Sequence, residues 1–202
     1  LKETFDNIRE MKIIGTFLIA FWMYEDGVAT IVRMAAKIAS SLGFAASDII
    51  TAILMVQFIG FPAALGYNWF AKKIGTKNAV LVAILGYVVI TFLGYLMTNI
   101  THFYILAALI GLFQGGIQSL SRSLFTRLVP PNKEAEFFGF YNMLGKFAAV
   151  VGPILVGWIT VLTGNPRAGI LSIVVLFIFG GLLLSKVDFK EGERIAHEFA
   201  EN

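Results

Sequence analysis

The chain has 202 residues, of which 57% are hydrophobic and only 14% charged, where a soluble domain carries about a quarter charged residues; its mean hydropathy is +0.79. A water-soluble globule is excluded, and so is disulfide or thiol chemistry, because there is no cysteine. The net charge of +3 is mild, and no basic cluster alternates with exposed aromatics, so nothing marks a nucleic-acid surface.

The first residue is Leu1, and residues 1 to 11 are polar, so neither a signal peptide nor a natural start is visible and a fragment of a longer protein is expected. Within 1 to 11, Leu1, Phe5, Ile8 and Met11 recur at helical spacing, which fits a linker or a short helix on the membrane surface. A spanning helix needs about 20 mostly apolar residues. Six stretches meet that requirement, at 12 to 40, 47 to 71, 78 to 98, 102 to 126, 135 to 162 and 167 to 186, and together they predict an all-α membrane bundle over 12 to 186. Short turn-rich segments connect them, with Ser47 as the expected cap of the second helix. The first span is long enough to tilt or project. Residues 187 to 202 form a charged tail, with Ile195 and Phe199 one turn apart, expected as a solvated helix, with docking on a neighbouring domain as the alternative.

Six spans return both termini to one side. Eleven bases (Lys2, Arg9, Lys12, Lys72, Lys73, Lys77, Arg127, Lys133, Lys186, Lys190 and Arg194) fall on that side, against Arg33, Lys37 and Arg167 on the other. The imbalance predicts cytoplasmic termini on a multi-pass membrane protein; a bacterial inner membrane is the expected location. An internal echo adds to this picture. Pro62 to Gly66 and Pro153 to Gly157 share Pro-x-x-x-Gly, each late in the second helix of a three-helix set, and in both sets the first helix is the most polar. That order suggests two inverted three-helix repeats. Pro62 and Pro153 are expected to serve helix packing or to kink their helices.

Polar residues at the middle of the spans are the candidates for function. At about 1.5 Å per residue, Asp26 lies roughly 20 Å into the first span, Gln114 and Gln118 roughly 18 and 24 Å into the fourth, and Lys146 roughly 15 Å into the fifth. A charge at that depth costs from about 2.5 to well over 10 kcal/mol unless it meets water or a partner. Asp26, Thr30, Arg33 and Lys37 make one stripe of the first helix, while the adjacent Glu25 is turned about 100° away. Asp26 is therefore assigned to a water-filled cavity and Glu25 to a helix contact or the cavity edge, with Gly27 loosening the helix beside them; Arg33 and Lys37 snorkel outward. Gln114 and Gln118 are one turn apart and flanked by Gly111, Gly115 and Gly116, whose spacing suits close helix packing. Asn142 and Lys146 share a face of the fifth span. Lys146 is expected to pair with Asp26 or Glu25, and Gln57 to complete the polar ring. The third and sixth spans lack core charges and read as lipid-facing supports. No phosphate-binding loop, nucleophile elbow or zinc-protease motif is present, so no cofactor, metal site or enzymatic activity is expected.

Three stretches carry a resemblance: FWMYEDGVATI, the run from Gly111 to Pro153 (GLFQGGIQSLSRSLFTRLVPPNKEAEFFGFYNMLGKFAAVVGP), and the apolar helix before the tail. They resemble the vacuole-effluxer-like branch of the major facilitator superfamily, and the likeness covers nearly the whole chain as the C-terminal six-helix half. The loop after the second helix departs from the superfamily pattern. In NWFAKKIGTK, Asn68 replaces the first glycine and Lys72 the acid, while Lys73, Gly75 and Lys77 are kept. Lys72, Lys73, Gly75 and Lys77 thus stand where a cytoplasmic gating loop is expected, without its acid.

The resemblance implies alternating access by two six-helix halves around a central site, with an N-terminal half as partner and a small solute, amino acids by family analogy, as cargo. It also places the first and fourth helices at the cavity, where Asp26, Thr30, Gln114 and Gln118 lie. The alternatives are a self-associating six-helix carrier or channel and a membrane scaffold without transport.

Overall fold

The computed structural model describes residues 2–130 and 133–198, with side chains described from Lys12 to Ala196 within them. Among the described residues there are nine helices and no strand. They are α1 (Lys2–Ser41), α2 (Ala46–Ile74), α3 (Thr76–Leu96), α4 (Ile100–Thr126), α5 (Glu134–Phe147), α6 (Val151–Thr163), α7 (Pro166–Leu171), α8 (Ile173–Lys186) and α9 (Phe189–Glu198).

Five helical stretches are long and apolar enough to cross a membrane: α2, α3, α4, α5 with α6 (Glu134–Thr163), and α7 with α8 (Pro166–Lys186). The sequence reading counted six. The remaining one, 12 to 40, lies within α1, which has 40 residues but is made more polar by Glu25, Asp26, Arg33 and Lys37. No proline interrupts α1, so its backbone runs unbroken from Lys2, and the side chains of the expected surface segment, 1 to 11, fall outside the described residues. Phe199 does too.

Close packing is organised by glycine. Along α4, a Cβ on Gly111 would lie 2.9 Å from the Val56 carbonyl oxygen, one on Gly115 would strike the Gly60 carbonyl, and one on Gly116 would enter the Tyr67 ring. All three opposing groups belong to α2, so these glycines let two backbones approach as small residues do in membrane interfaces. On the other side α1 packs against α8. A Cβ on Gly27 would meet the Phe177 ring at 2.8 Å, and one on Gly180 the Tyr24 amide nitrogen at 3.0 Å. Gly27 is thus a site of close approach in a continuous helix, not the loosened point expected.

α3 and α8 also differ from expectation. Ala79, Val80, Ala83, Tyr87 and Ile90 of α3, and Ile173, Leu176, Phe177 and Leu184 of α8, are buried. Each of these two apolar helices buries one face in the bundle and turns the other outward, Leu85, Val89 and Leu96 on α3 and Ile178, Phe179 and Leu182 on α8, while α2 turns Ile53, Phe58, Phe61, Leu65 and Trp69 outward.

Local chemistry sets the helix ends. Ala45, not Ser47, is the cap position of α2, and the Asp48 carboxylate reaches back to accept the Ala45 N–H at 3.1 Å. Gly75 joins α2 to α3 at φ +89°, a backbone region that favours glycine. Lys77 then donates to the carbonyls of Ser185 and Val187 at 2.7 and 2.9 Å, capping the end of α8.

The tail is not a solvated helix. Ile195 is 0% exposed, α9 packs on α1, and the Phe189 ring meets the Phe17 ring edge-on with centroids 5.8 Å apart. Arg127, at the end of α4, reaches Glu193 at 3.6 Å. The Phe17 ring also stacks on Phe125, and Tyr141 of α5 stacks on both Phe21 (4.3 Å) and Phe125 (4.7 Å), so one aromatic cluster joins α1, α4, α5 and α9.

The glycine contacts give a direct test. Gly115→Ala should destabilise the bundle by about 1–3 kcal/mol in detergent unfolding, because α2 must move to admit the methyl. Gly157→Ala, where no atom lies within 4 Å of the new Cβ, should change stability by less than about 0.5 kcal/mol. Equal effects at the two positions would show that the α2–α4 approach is not tight.

Candidate functional site

The fifth span was expected to be continuous over 135 to 162, but it is broken. α5 ends at Phe147 and α6 begins at Val151; Ala149 between them has φ +99°. Pro153 supplies the reason. It has no N–H to bond the carbonyl four residues earlier, and its ring crowds that carbonyl, which belongs to Ala149. Within α6 it sits in the first turn, where the missing N–H costs nothing.

A break leaves backbone N–H groups exposed at the start of the new helix, and hydrocarbon offers them no partner. Asp26 of α1 supplies one. Its Oδ2 accepts the N–H of Val151 at 2.9 Å and that of Gly152 at 3.0 Å, and its Oδ1 accepts the Thr30 hydroxyl at 3.2 Å. Asp26 is 1% exposed and Thr30 0%. Gly152 is required for the fit, since a Cβ there would clash with Thr30 and come within 2.9 Å of Asp26 Oδ1. Asp26 therefore caps a helix other than its own, and its negative charge lies at the positive end of the α6 dipole.

The expected ion pair between Lys146 and an acid of α1 is absent among the described residues. Asp26 is held by the α6 amides, and Lys146 is exposed in the last turn of α5. A base near a helix C-terminus is favoured by the dipole. The break thus uses each charge at one of the two helix ends it creates. Asp26 and Thr30 occupy this packed joint and not the water-filled stripe assigned to them, while Arg33 and Lys37 are exposed.

Glu25 has different surroundings. It is part-buried, and the Gln118 side chain of α4 is placed to hydrogen-bond its carboxyl. Its Oε2 is buried without a partner, as are the Gln114 Oε1, the Tyr87 hydroxyl oxygen and the Trp22 Nε1. Glu25, Tyr87 and Gln114 stand near the middle of α1, α3 and α4, respectively. Buried polar atoms without partners are few in folded proteins and cost about 1–3 kcal/mol each. Beside them the Tyr24 hydroxyl and the Ser121 Oγ share a buried hydrogen bond of 2.7 Å that fixes α1 to α4.

Of the remaining candidates, Gln57 is exposed on α2 and Asn142 on α5, and neither has a hydrogen-bond partner among the described residues. Lys72 is exposed and Lys73 lies 3.7 Å from the centroid of the Trp69 ring, while Lys77 and Gly75 define the α2–α3 junction described above. Pro62 lies within an unbroken α2. Sequence reasoning passed over Trp22, Tyr24, Tyr87 and Ser121. Their signal was available: hydroxyls and an indole N–H at mid-span depth need partners, as the glutamines do.

The cap can be tested by unfolding in detergent. Asp26→Ala should cost about 2–4 kcal/mol, the scale of two hydrogen bonds to a charged acceptor, and Asp26→Asn less, because one oxygen still accepts. Lys146→Met should stay within about 0.5 kcal/mol. If Asp26→Ala were as stable as the parent, the carboxylate would not be holding the break.

Comparison with known proteins places this geometry in a family. The model for "Vacuole effluxer Atg22 like" proteins matches residues 1–197. "Uncharacterized MFS-type transporter YxiO" of Bacillus subtilis is 37% identical over 187 residues, 93% of this chain and 44% of that protein. "Autophagy-related protein 22" of Coccidioides immitis is 30% identical across 100% of this chain and 36% of its own length, and that of Saccharomyces cerevisiae 28% identical across 100% and 40%. The chain spans less than half the length of these relatives. With several apolar helices long enough to cross a bilayer and a family match over nearly its full length, the chain is an integral multi-pass membrane protein and belongs to the vacuole effluxer Atg22-like family of MFS-type transporters.

Proposed function

We propose that this chain is the C-terminal half of a secondary transporter that moves a small solute by alternating access, with an N-terminal six-helix half as the other wall of the site. The observation that carries this reading is the group of unpartnered polar atoms on α1, α3 and α4: Glu25 Oε2, Tyr87 OH and Gln114 Oε1. A scaffold without transport gives such atoms no use, whereas a transported solute or ion satisfies them when it binds. A self-associating six-helix carrier meets a simpler objection, since the relative named an MFS-type transporter and the one named autophagy-related protein 22 are both more than twice as long as the matched region.

The packing supports two inverted repeats, α1–α3 and α4–α8. Exchanging the repeats turns the α1–α8 contact into the α4–α3 contact, and the α2–α4 contact into that of α5 and α6 with α1; all of these pairs touch. In this reading α1 also crosses the bilayer, over 12 to 40, and residues 187 to 202 form a cytoplasmic tail. Lys12, Lys77, Arg127 and Lys186 gather at one end of the bundle, which supports a cytoplasmic location for that end and for both termini; a bacterial inner membrane is the membrane we propose. Glu25, with Gln114 and Gln118, belongs to the solute or proton site, whereas Asp26 and Thr30 hold the wall behind it. The family's "vacuole effluxer" description supports a small exported solute; amino acids are the cargo we propose, with a proton gradient as the drive.

Uptake of an amino-acid and small-peptide mixture by the full-length parent in proteoliposomes, under an imposed pH gradient, tests this reading. Glu25→Gln should abolish gradient-dependent uptake, by at least tenfold, while leaving a monodisperse, folded protein, and Lys146→Met should retain uptake within about twofold. Uptake indifferent to Glu25→Gln would remove Glu25 from the site and the reading with it.

A further inference from the structure

At the end of the bundle that carries α9, a cleft of about 520 Å³ opens between the α2–α3 junction, the end of α4 and the turn from α8 to α9. Its size is within the range of small-ligand pockets. Four cations line it, Lys77, Arg127, Lys186 and Lys190, against one acid, Asp188.

The excess charge is not cancelled inside the cleft. Lys77 donates to two backbone carbonyls, which anchor its ammonium group without neutralising it. Asp188 Oδ1 accepts the Glu191 N–H at 3.2 Å, so this acid is turned into the start of α9. Arg127 donates to the Thr76 hydroxyl at 3.2 Å and reaches Glu193 at 3.6 Å across an exposed gap. Lys186 and Lys190 are exposed and make no ion pair among the described residues.

The depth of the cleft indicates what would fill it. α3 begins at Thr76, α4 ends at Thr126 and α8 ends at Lys186, so the cations stand where three apolar helices leave the hydrocarbon. That layer holds the lipid phosphates, and basic pockets between helices at this level suit anionic headgroups. Arg127 offers the paired N–H geometry that phosphate oxygens accept, and the Thr76 hydroxyl and Asn78 amide of the same lining can bond a polar headgroup.

We propose that this cleft binds the phosphate of an anionic phospholipid headgroup, with Arg127, Lys186 and Lys190 as its cationic ligands and Lys77 fixing the cleft wall.

The full-length parent, purified in a non-ionic detergent, is titrated with phosphatidylglycerol, with phosphatidylcholine, and with inorganic phosphate at matched ionic strength; bound lipid is counted by native mass spectrometry and thermal stability is followed in parallel. Phosphatidylglycerol should be retained in preference to phosphatidylcholine. Each charge removed from the cleft should weaken its retention about fivefold, so Lys186→Gln with Lys190→Gln should lose roughly 25-fold. Lys72→Gln with Lys73→Gln, at the same end but outside the cleft, should change it by less than about twofold. Both lysine pairs are exposed, so these variants keep the fold, and Arg127→Gln adds a third reading where it folds. Equal losses for the two pairs would replace the site with a diffuse surface charge. Stabilisation by inorganic phosphate equal to that by phosphatidylglycerol would make the ligand a soluble anion, and the lack of any preference over phosphatidylcholine would also overturn the proposal.

Discussion

A break in a membrane helix needs a partner for the amides it exposes, and in this chain that partner is one carboxylate. Water cannot reach the start of α6 cheaply, so the N–H groups of Val151 and Gly152 must be bonded from within the protein. Asp26 bonds both. The cost of burying an acid away from water and the cost of leaving helix-end amides unbonded offset one another when the two are joined. The rest of the joint follows from this contact: Thr30 holds the second oxygen, and Gly152 leaves room for both.

Around the joint, contacts of two kinds divide the bundle. Glycines on α4, α1 and α8 leave room for the opposing backbones and rings, which lets the α2–α4 and α1–α8 pairs approach closely. α5 is held differently. It meets α1 and α4 through rings: Tyr141 stacks on Phe21 and Phe125, and Phe138 meets Phe125 edge-on. Stacked rings hold a segment in place through side chains that can slide, whereas glycine contacts lock one backbone against another. The broken span therefore joins a half-helix capped by α1 to a half-helix resting on an aromatic surface, and α9 reaches the same surface through Phe189.

The helices were legible from the sequence because membrane length and apolarity leave few alternatives. Their roles were less so. α3 and α8 lack charges in their cores and read as lipid-facing, yet each also buries a face against neighbouring helices, because in a bilayer an apolar surface does not distinguish lipid from a neighbouring helix. The break at 148–150 was announced by Pro153, but its exact place depends on Ala149 adopting a positive φ, which composition does not reveal. The Lys146 pairing followed from depth alone. Depth counts how far a residue lies along a helix and ignores that a broken helix has ends, where single charges of either sign are stabilised without meeting each other.

The two acids at 25 and 26 illustrate the same point most directly. Consecutive residues on a helix point about 100° apart, so they cannot serve one face. The sequence gives that separation but not its sense, because nothing in FWMYEDGVAT says which direction faces α6. The structure turns Asp26 into the joint and leaves Glu25 toward Gln118, part-buried with an oxygen unbonded. An acid whose bonds are all made stabilises a wall; an acid with an unmet oxygen is the one left to bind something that arrives. Moving Asp26 by one position would turn its carboxylate about 100° away from α6 and leave the Val151 and Gly152 amides unbonded, whereas moving Glu25 would leave that cap in place.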